Sequence, residues 1–251
     1  MTQTRAGRLV RAVIYTQPTA QDAPAQRAAK AKVSSLARQR QNARASWEKL
    51  ELLLAENFEP DDLWITFTYR DADLPATREA AVRCLKQFLS LLRAQRAARG
   101  QRTLYVKNVQ HITESGEEGR WHHHVVLNAT GEDYEEIRAL WARWGDNVDF
   151  EPLGDDYEAR ARYLCHERQP VGKQTWTPSR GLRRPQRSTE LVDDALTLAV
   201  PPGAVVLDRD QKDNAWGSFV YVKYLLPAQP RRRDRQRPIG HARARSFSDL
   251  G

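Results

Sequence analysis

The chain has 251 residues, 40% of them hydrophobic and seven of them tryptophan, enough to build one buried core and too apolar for a wholly disordered polymer. Its formal charge of +8 is gathered at the ends: residues 1–45 hold nine Lys/Arg against Asp22 alone, residues 228–251 hold seven Arg against Asp234 and Asp249, and the middle is net acidic. No apolar run nears the ~20 residues of a membrane span. With two cysteines, Cys84 and Cys165, and no secretory signal, the expectation is reduced thiols in a cytoplasmic protein that uses no membrane.

In chain order, Gly7 to Tyr15 has the composition of a strand and ends before Pro18. Residues 24–57 are rich in helix formers, with Leu36, Trp47, Leu50, Leu53 and Leu54 on one stripe and a basic first half nearly without apolar anchors. Leu63 to Arg70 is β-branched and aromatic, a strand, and Thr77 is placed to cap a helix that runs to Gly100. Thr103 to Thr113 is a strand entering a hairpin. Asp133 to Trp144 is a short helix, Val148 to Leu153 an extended piece, and Asp155 to Arg168 a helix stopped by Pro170. Residues 171–201 read as irregular, with a helical turn near Glu190 to Leu198; strands follow at Ala204 to Leu207 and Phe219 to Leu226. Strands and helices mix without strict βαβ alternation, so the expected class is α+β, an antiparallel sheet of about five strands flanked by helices. The domains expected are a basic N-terminal strand and helix extension over 1–58, a central domain over 59–227, and a disordered Arg-rich tail over 228–251.

The organising stretch is Glu114 to Asn128. Gly116 and Gly119 lie in a polar run between two strands, a hairpin, and alternation along the outgoing strand puts His122 and His124 on one face and His123 on the other. A turn centred near Glu118 sets Glu114 across from His122, which gathers one carboxylate and two imidazoles on one face. That donor set suits Mn²⁺ or Mg²⁺ with substrate oxygens, or zinc in a hydrolase-like site. On the helix from Asp155, Tyr163 shares a face with Arg160, His166 and Glu167. A tyrosine near a metal suggests covalent phosphoryl transfer, with a neighbouring base or cation to activate a phenol of pKa ~10.

Glu114, the run His122-His123-His124 eight residues later, and a tyrosine helix further on together resemble the HUH endonucleases, and more closely the single-tyrosine rolling-circle replication initiators of small phages and plasmids. Leu63 to Tyr69 is similar to their first motif, Ala161 to Glu167 sits where they carry Tyr-x-x-Lys, and Ser179 to Pro185 is similar to a segment after their tyrosine helix. The resemblance implies Glu114, His122 and His124 as ligands of a divalent Mn²⁺ or Mg²⁺ and Tyr163 as nucleophile. His166 stands where the family has lysine and takes its catalytic place. It also implies a protein that nicks and rejoins single-stranded DNA at a replication origin, with Arg160, Arg162, Arg180, Arg183, Arg184, Thr68 and Tyr69 on the DNA. The chain lacks a GxxxxGK[ST] signature, so unwinding would need a separate helicase, and extension a host polymerase in a bacterial cell. A fold that binds without cutting and a zinc hydrolase are the competing readings.

Overall fold

The computed structural model describes residues 1–16, 36–112, 118–131, 133–167, 174–192, 197–214 and 217–227. In chain order the elements are β1 (Thr2–Ala6), β2 (Leu9–Tyr15), α1 (Leu36–Asn57), β3 (Leu63–Thr68), α2 (Arg78–Ala98), β4 (Tyr105–Ile112), β5 (Glu118–Leu127), α3 (Asp133–Trp141), β6 (Asn147–Pro152), α4 (Tyr157–Cys165), β7 (Thr177–Pro178), β8 (Gln186–Thr189), β9 (Val205–Asn214) and β10 (Gly217–Leu225). The class is α+β, with two antiparallel five-stranded sheets where the sequence suggested one. Contacts divide the chain into two units. One takes Met1–Pro60, Gly154–Thr175 and Arg180–Gln229, the other Asp61–Leu153 and Trp176–Ser179.

In the first unit the strand order is β8-β1-β2-β10-β9. Residues 2–15, assigned from sequence to an extension, are two strands inside this sheet, with β2 paired to both β1 and β10. Their turn needs Gly7, whose φ is +54° and where a Cβ would stand 2.4 Å from the carbonyl oxygen of Ala55. One face of the sheet buries Val10, Ala12, Ile14, Val220, Val222 and Tyr224 with Leu198. On the other, Arg11 and Lys223 are direct cross-strand partners, a repulsive pairing that needs acids beside it. Glu51 of α1 supplies the first, paired with Arg11 and 3.0 Å from Lys223 Nζ, and Glu158 of α4 pairs with the same lysine. Glu51 and Lys223 are 2% and 4% exposed. Burial works against the charge on Lys223, but Glu158 and Glu51 together outweigh it and its pKa is raised. The expected helix over 24–57 is described from Leu36 onward, and residues 17–35 lie outside the described residues. The region expected to be irregular contributes β7 and β8, while the turn expected near Glu190 to Leu198 spans residues 193–196, also outside the description. Residues 228–251 are likewise outside it.

In the second unit the order is β6-β3-β5-β4-β7, so the histidine strand β5 is central. Alternation along β3 sends Leu63, Ile65 and Phe67 to one side, continued by Tyr69, where they pack with Ala81, Leu85, Phe88, Leu89 and Leu92 of α2 and Ile137 and Trp141 of α3. Thr77 caps α2 by accepting from the N–H of Ala80 at 3.2 Å. The far end of β5 is tied down by Arg96, wholly buried, which donates to Asp133 at 2.5 Å and to the Asn128 carbonyl at 3.0 Å. Gly145 lets the chain pass close to β3: a Cβ there would stand 2.0 Å from the Thr68 carbonyl, which also accepts from the Trp141 indole at 3.0 Å. No helix among the described residues is long and apolar enough to cross a membrane.

Candidate active site

The register of β5 decides what can act together. β3 pairs Thr66 with His124 and Thr68 with His122; β4 pairs Asn108 with His124 and Gln110 with His122. Cross-strand partners project to one face, so His122, His124, Thr66, Thr68, Asn108 and Gln110 form a polar patch on the side of the sheet away from α2 and α3. Trp64 and Val126 lie on the same face, two residues along. The His122 and His124 rings stand 5.1 Å apart, nearly perpendicular.

Each ring has a partner at Nδ1. His122 Nδ1 donates to the carbonyl of Arg120 at 2.9 Å, which puts the ring's lone pair on Nε2. Arg120 is itself held, its guanidinium on Asp71 and on the Tyr69 carbonyl. His124 Nδ1 lies 3.1 Å from Thr66 Oγ1, and Trp64 stacks on the ring at 5.3 Å. Two adjacent imidazoles presenting Nε2 from one face are a fitting pair of ligands for a divalent cation.

The third predicted ligand is a different matter. Ile112 pairs with Glu118, so Glu118 stands in the β5 ladder rather than at the centre of a turn, with an irregularity between Gln110 and Ile112. The residue across from His122 is therefore Gln110, not Glu114. Glu114 itself lies outside the described residues, as do 113–117 as a whole. Among the described residues no three His, Cys, Asp or Glu side chains gather into a metal-binding group.

His123 points to the opposite side, as alternation requires, and is 0% exposed. Its Nε2 lies 2.6 Å from the Tyr69 hydroxyl, with Trp141 at ring distance 5.8 Å. Burial, then His122, Lys107 and His124, hold its pKa well below the usual imidazole value, so the ring is neutral. Tyr69, grouped from sequence with the DNA contacts, is 3% exposed on the helix side and bonded within the core. It has no surface to offer DNA, because strand alternation separates it from Thr68. Lys107 is on the same side, 7% exposed, and burial followed by repulsion from Lys86 lowers its pKa to about 8.

Tyr163 belongs to the first unit, on the last turn of α4. Asp156 starts that helix by accepting from the N–H of Ala159 at 2.9 Å, Ala161 and Leu164 are its buried residues, and Tyr163 is half-buried. His166, the residue after Cys165, caps it: its Nδ1 donates to the Tyr163 carbonyl at 2.5 Å, and the two rings lie 5.2 Å apart. The neutral ring then carries its lone pair on Nε2, the arrangement a general base needs. Glu158, two turns earlier on α4, is pushed up by burial, but bonds from Lys223 and Arg162 together push harder the other way and leave its pKa lowered. Arg162 also lies over the Trp47 ring at 4.1 Å, so this predicted DNA contact is engaged within its own unit. Arg180, Arg183 and Arg184 are exposed; the backbone of Arg183 is clasped by the Asn57 amide at 2.7 and 2.9 Å.

Sequence reasoning missed Thr66, Asn108 and Gln110, and the Arg11–Glu51–Lys223–Glu158 network. A signal for the first group was present: Val106, Asn108 and Gln110 alternate with Lys107 and Val109, which gives β4 an unusually polar second face. Nothing local marked the network, whose members are far apart in the chain.

Residues 62–169 match the family of the replication-associated protein ORF2. The matched stretch covers less than half of the chain and takes in both histidines and Tyr163, and the chain is thereby similar to replication-associated proteins. No curated protein and no solved structure gives a match of significance.

Proposed function

We propose that the chain initiates rolling-circle replication by nicking and rejoining single-stranded DNA at an origin through a 5′-phosphotyrosine intermediate. The single observation that carries this reading is the His122–His124 pair, on one face of the central strand and with both Nδ1 atoms engaged, inside the stretch similar to replication-associated proteins.

His122 and His124, with Glu114, would hold Mn²⁺ or Mg²⁺. When bound, the cation supplies Lewis-acid polarisation of the scissile phosphate. Tyr163 is the nucleophile: its phenol oxygen bonds to phosphorus, the bond from phosphorus to the 3′-oxygen breaks, and the phenol proton passes to Nε2 of His166 and on to the leaving oxygen. The products are a free 3′-hydroxyl, which primes a host polymerase, and an energy-rich phosphotyrosine that rejoins by the reverse step. Arg180, Arg183, Arg184, Arg160 and the basic ends serve the sugar–phosphate backbone, adding affinity without sequence information. A separate helicase opens the duplex.

The position of Gln110 across from His122 favours a second reading, in which the fold binds origin DNA without cutting it. One assay separates the two. The full chain is incubated with origin-derived single strands and a panel of Mn²⁺, Mg²⁺ and Zn²⁺, then run on a denaturing gel. The nicking reading expects a covalent adduct that Tyr163→Phe abolishes. Binding without any adduct under every metal would overturn it, as would an undiminished adduct in Tyr163→Phe.

A further inference from the structure

We infer that Thr66 is a positioning residue for His124, fixing the tautomer in which that imidazole can ligate a metal. The inference rests on the reading of His122 and His124 as ligands and names a residue which that reading does not use.

The two histidines differ in what they meet at Nδ1. The partner of His122 Nδ1 is a backbone carbonyl, which can only accept, so His122 has one possible neutral tautomer. The partner of His124 Nδ1, at 3.1 Å, is a hydroxyl, which can accept or donate. If Thr66 accepts, Nδ1 carries the proton and the lone pair is on Nε2, matching His122. If Thr66 donates, the proton is on Nε2 and the ring cannot ligate through it.

The surroundings restrain where the hydroxyl and the ring can go. Thr66 is the direct cross-strand partner of His124 in the central pair of strands, so backbone pairing sets its distance. Its β-branched side chain is stiff at χ1. Trp64, on the same face of the same strand, stacks on the imidazole with planes 29° apart and limits rotation about χ2. Strand β3 thus grips the ring twice, by a face and by an edge. In metal sites such a partner to the second ring nitrogen sets tautomer, orientation and basicity, and its loss typically costs about 10- to 100-fold in metal affinity.

The test uses the full chain carrying Tyr163→Phe, so that no cleavage competes, and reads Mn²⁺ binding by electron paramagnetic resonance. Thr66→Val, nearly the same shape without the hydroxyl, is expected to weaken Mn²⁺ binding by about 10- to 100-fold, and Thr66→Ser to restore most of it. Nitrogen chemical shifts of His124 in the metal-free protein give a second readout: Nδ1–H in the parent, a mixture of tautomers in Thr66→Val. A loss of packing alone would move the unfolding midpoint but not the tautomer, and Ser would not rescue it. Parent-like Mn²⁺ affinity or an unchanged tautomer in Thr66→Val overturns this inference and leaves nicking untouched. Absence of an adduct when the chain with Tyr163 intact is incubated with origin-derived single strands, while Mn²⁺ binds in a Thr66-dependent way, overturns nicking and supports the inference. A parent that binds no Mn²⁺ overturns both.

Discussion

The Tyr69 hydroxyl and His123 Nε2 share a 2.6 Å hydrogen bond on the underside of the strand whose upper side carries His122 and His124. Both groups are buried, and burial disfavours the charged form of each: it raises the Tyr69 pKa, followed by the effect of Cys84, and lowers that of His123. Two neutral polar groups in an apolar core depend on one another. Tyr69→Phe removes one and strands the other, at a cost of about 1–3 kcal/mol in urea-unfolding free energy. Tyr69→Phe with His123→Leu should lose less than the sum of the two single changes. Strict additivity would show that the bond contributes nothing beyond packing.

Lys107 makes stability depend on pH. Its folded pKa of about 8 lies below the 10.5 of an unfolded lysine, so between those values the unfolded chain binds the extra proton. The penalty is full below pH 8 and disappears as pH rises through 10.5. At 1.36 kcal/mol per pH unit the span is worth about 3 kcal/mol. Lys107→Met should therefore be more stable than the parent at pH 7, and the gap should close towards pH 10.5. Thermal or urea unfolding across this range checks it; a gap constant with pH would exclude the titration.

Glu51 is the acid that reconciles Arg11 with Lys223. Removing it leaves two like charges facing each other across β2 and β10, with Glu158 and, at 3.6 Å, Glu48 remaining among the described residues to answer them. Glu51→Ala is expected to destabilise by about 3–5 kcal/mol, whereas replacing Glu51 and Lys223 together by methionine should cost far less. Because Glu158 lies on α4, the single change should also loosen the tyrosine helix, seen as faster amide exchange at Tyr163. Unaltered exchange there would confine the network to the sheet.

Arg180, Arg183 and Arg184 are exposed and predicted to meet phosphates. Each contact to a single strand contributes about 0.7 to the slope of log affinity against log salt, so the triple alanine variant should flatten that slope by about 2. Its unfolding midpoint should hardly move, since surface ion pairs such as Arg183 with Glu56 contribute little. An unchanged slope would remove these residues from the interface.

Local pattern carried the reading a long way wherever structure depends on near neighbours in the chain. Alternation in Trp121 to Asn128 was enough to put His122 and His124 together and to turn His123 to the other face, because side chains on a strand alternate whatever the strand pairs with. The Thr77 cap and the stripe of α2 were legible for the same reason, helix periodicity being a property of the segment itself.

Pairing between distant segments was not legible in this way. The sequence alone determined the α+β class, the facing of the histidines and the place of Tyr163 on a short helix, since these follow from side-chain period and end signals. Only the tertiary structure decided that residues 2–15 join Gly217–Leu225 in a second sheet, that Gln110 faces His122, that Thr66 grips His124 and that Tyr69 bonds to His123. Each of those depends on strand register, and a shift of one residue turns every side chain to the other face without altering composition or period at all.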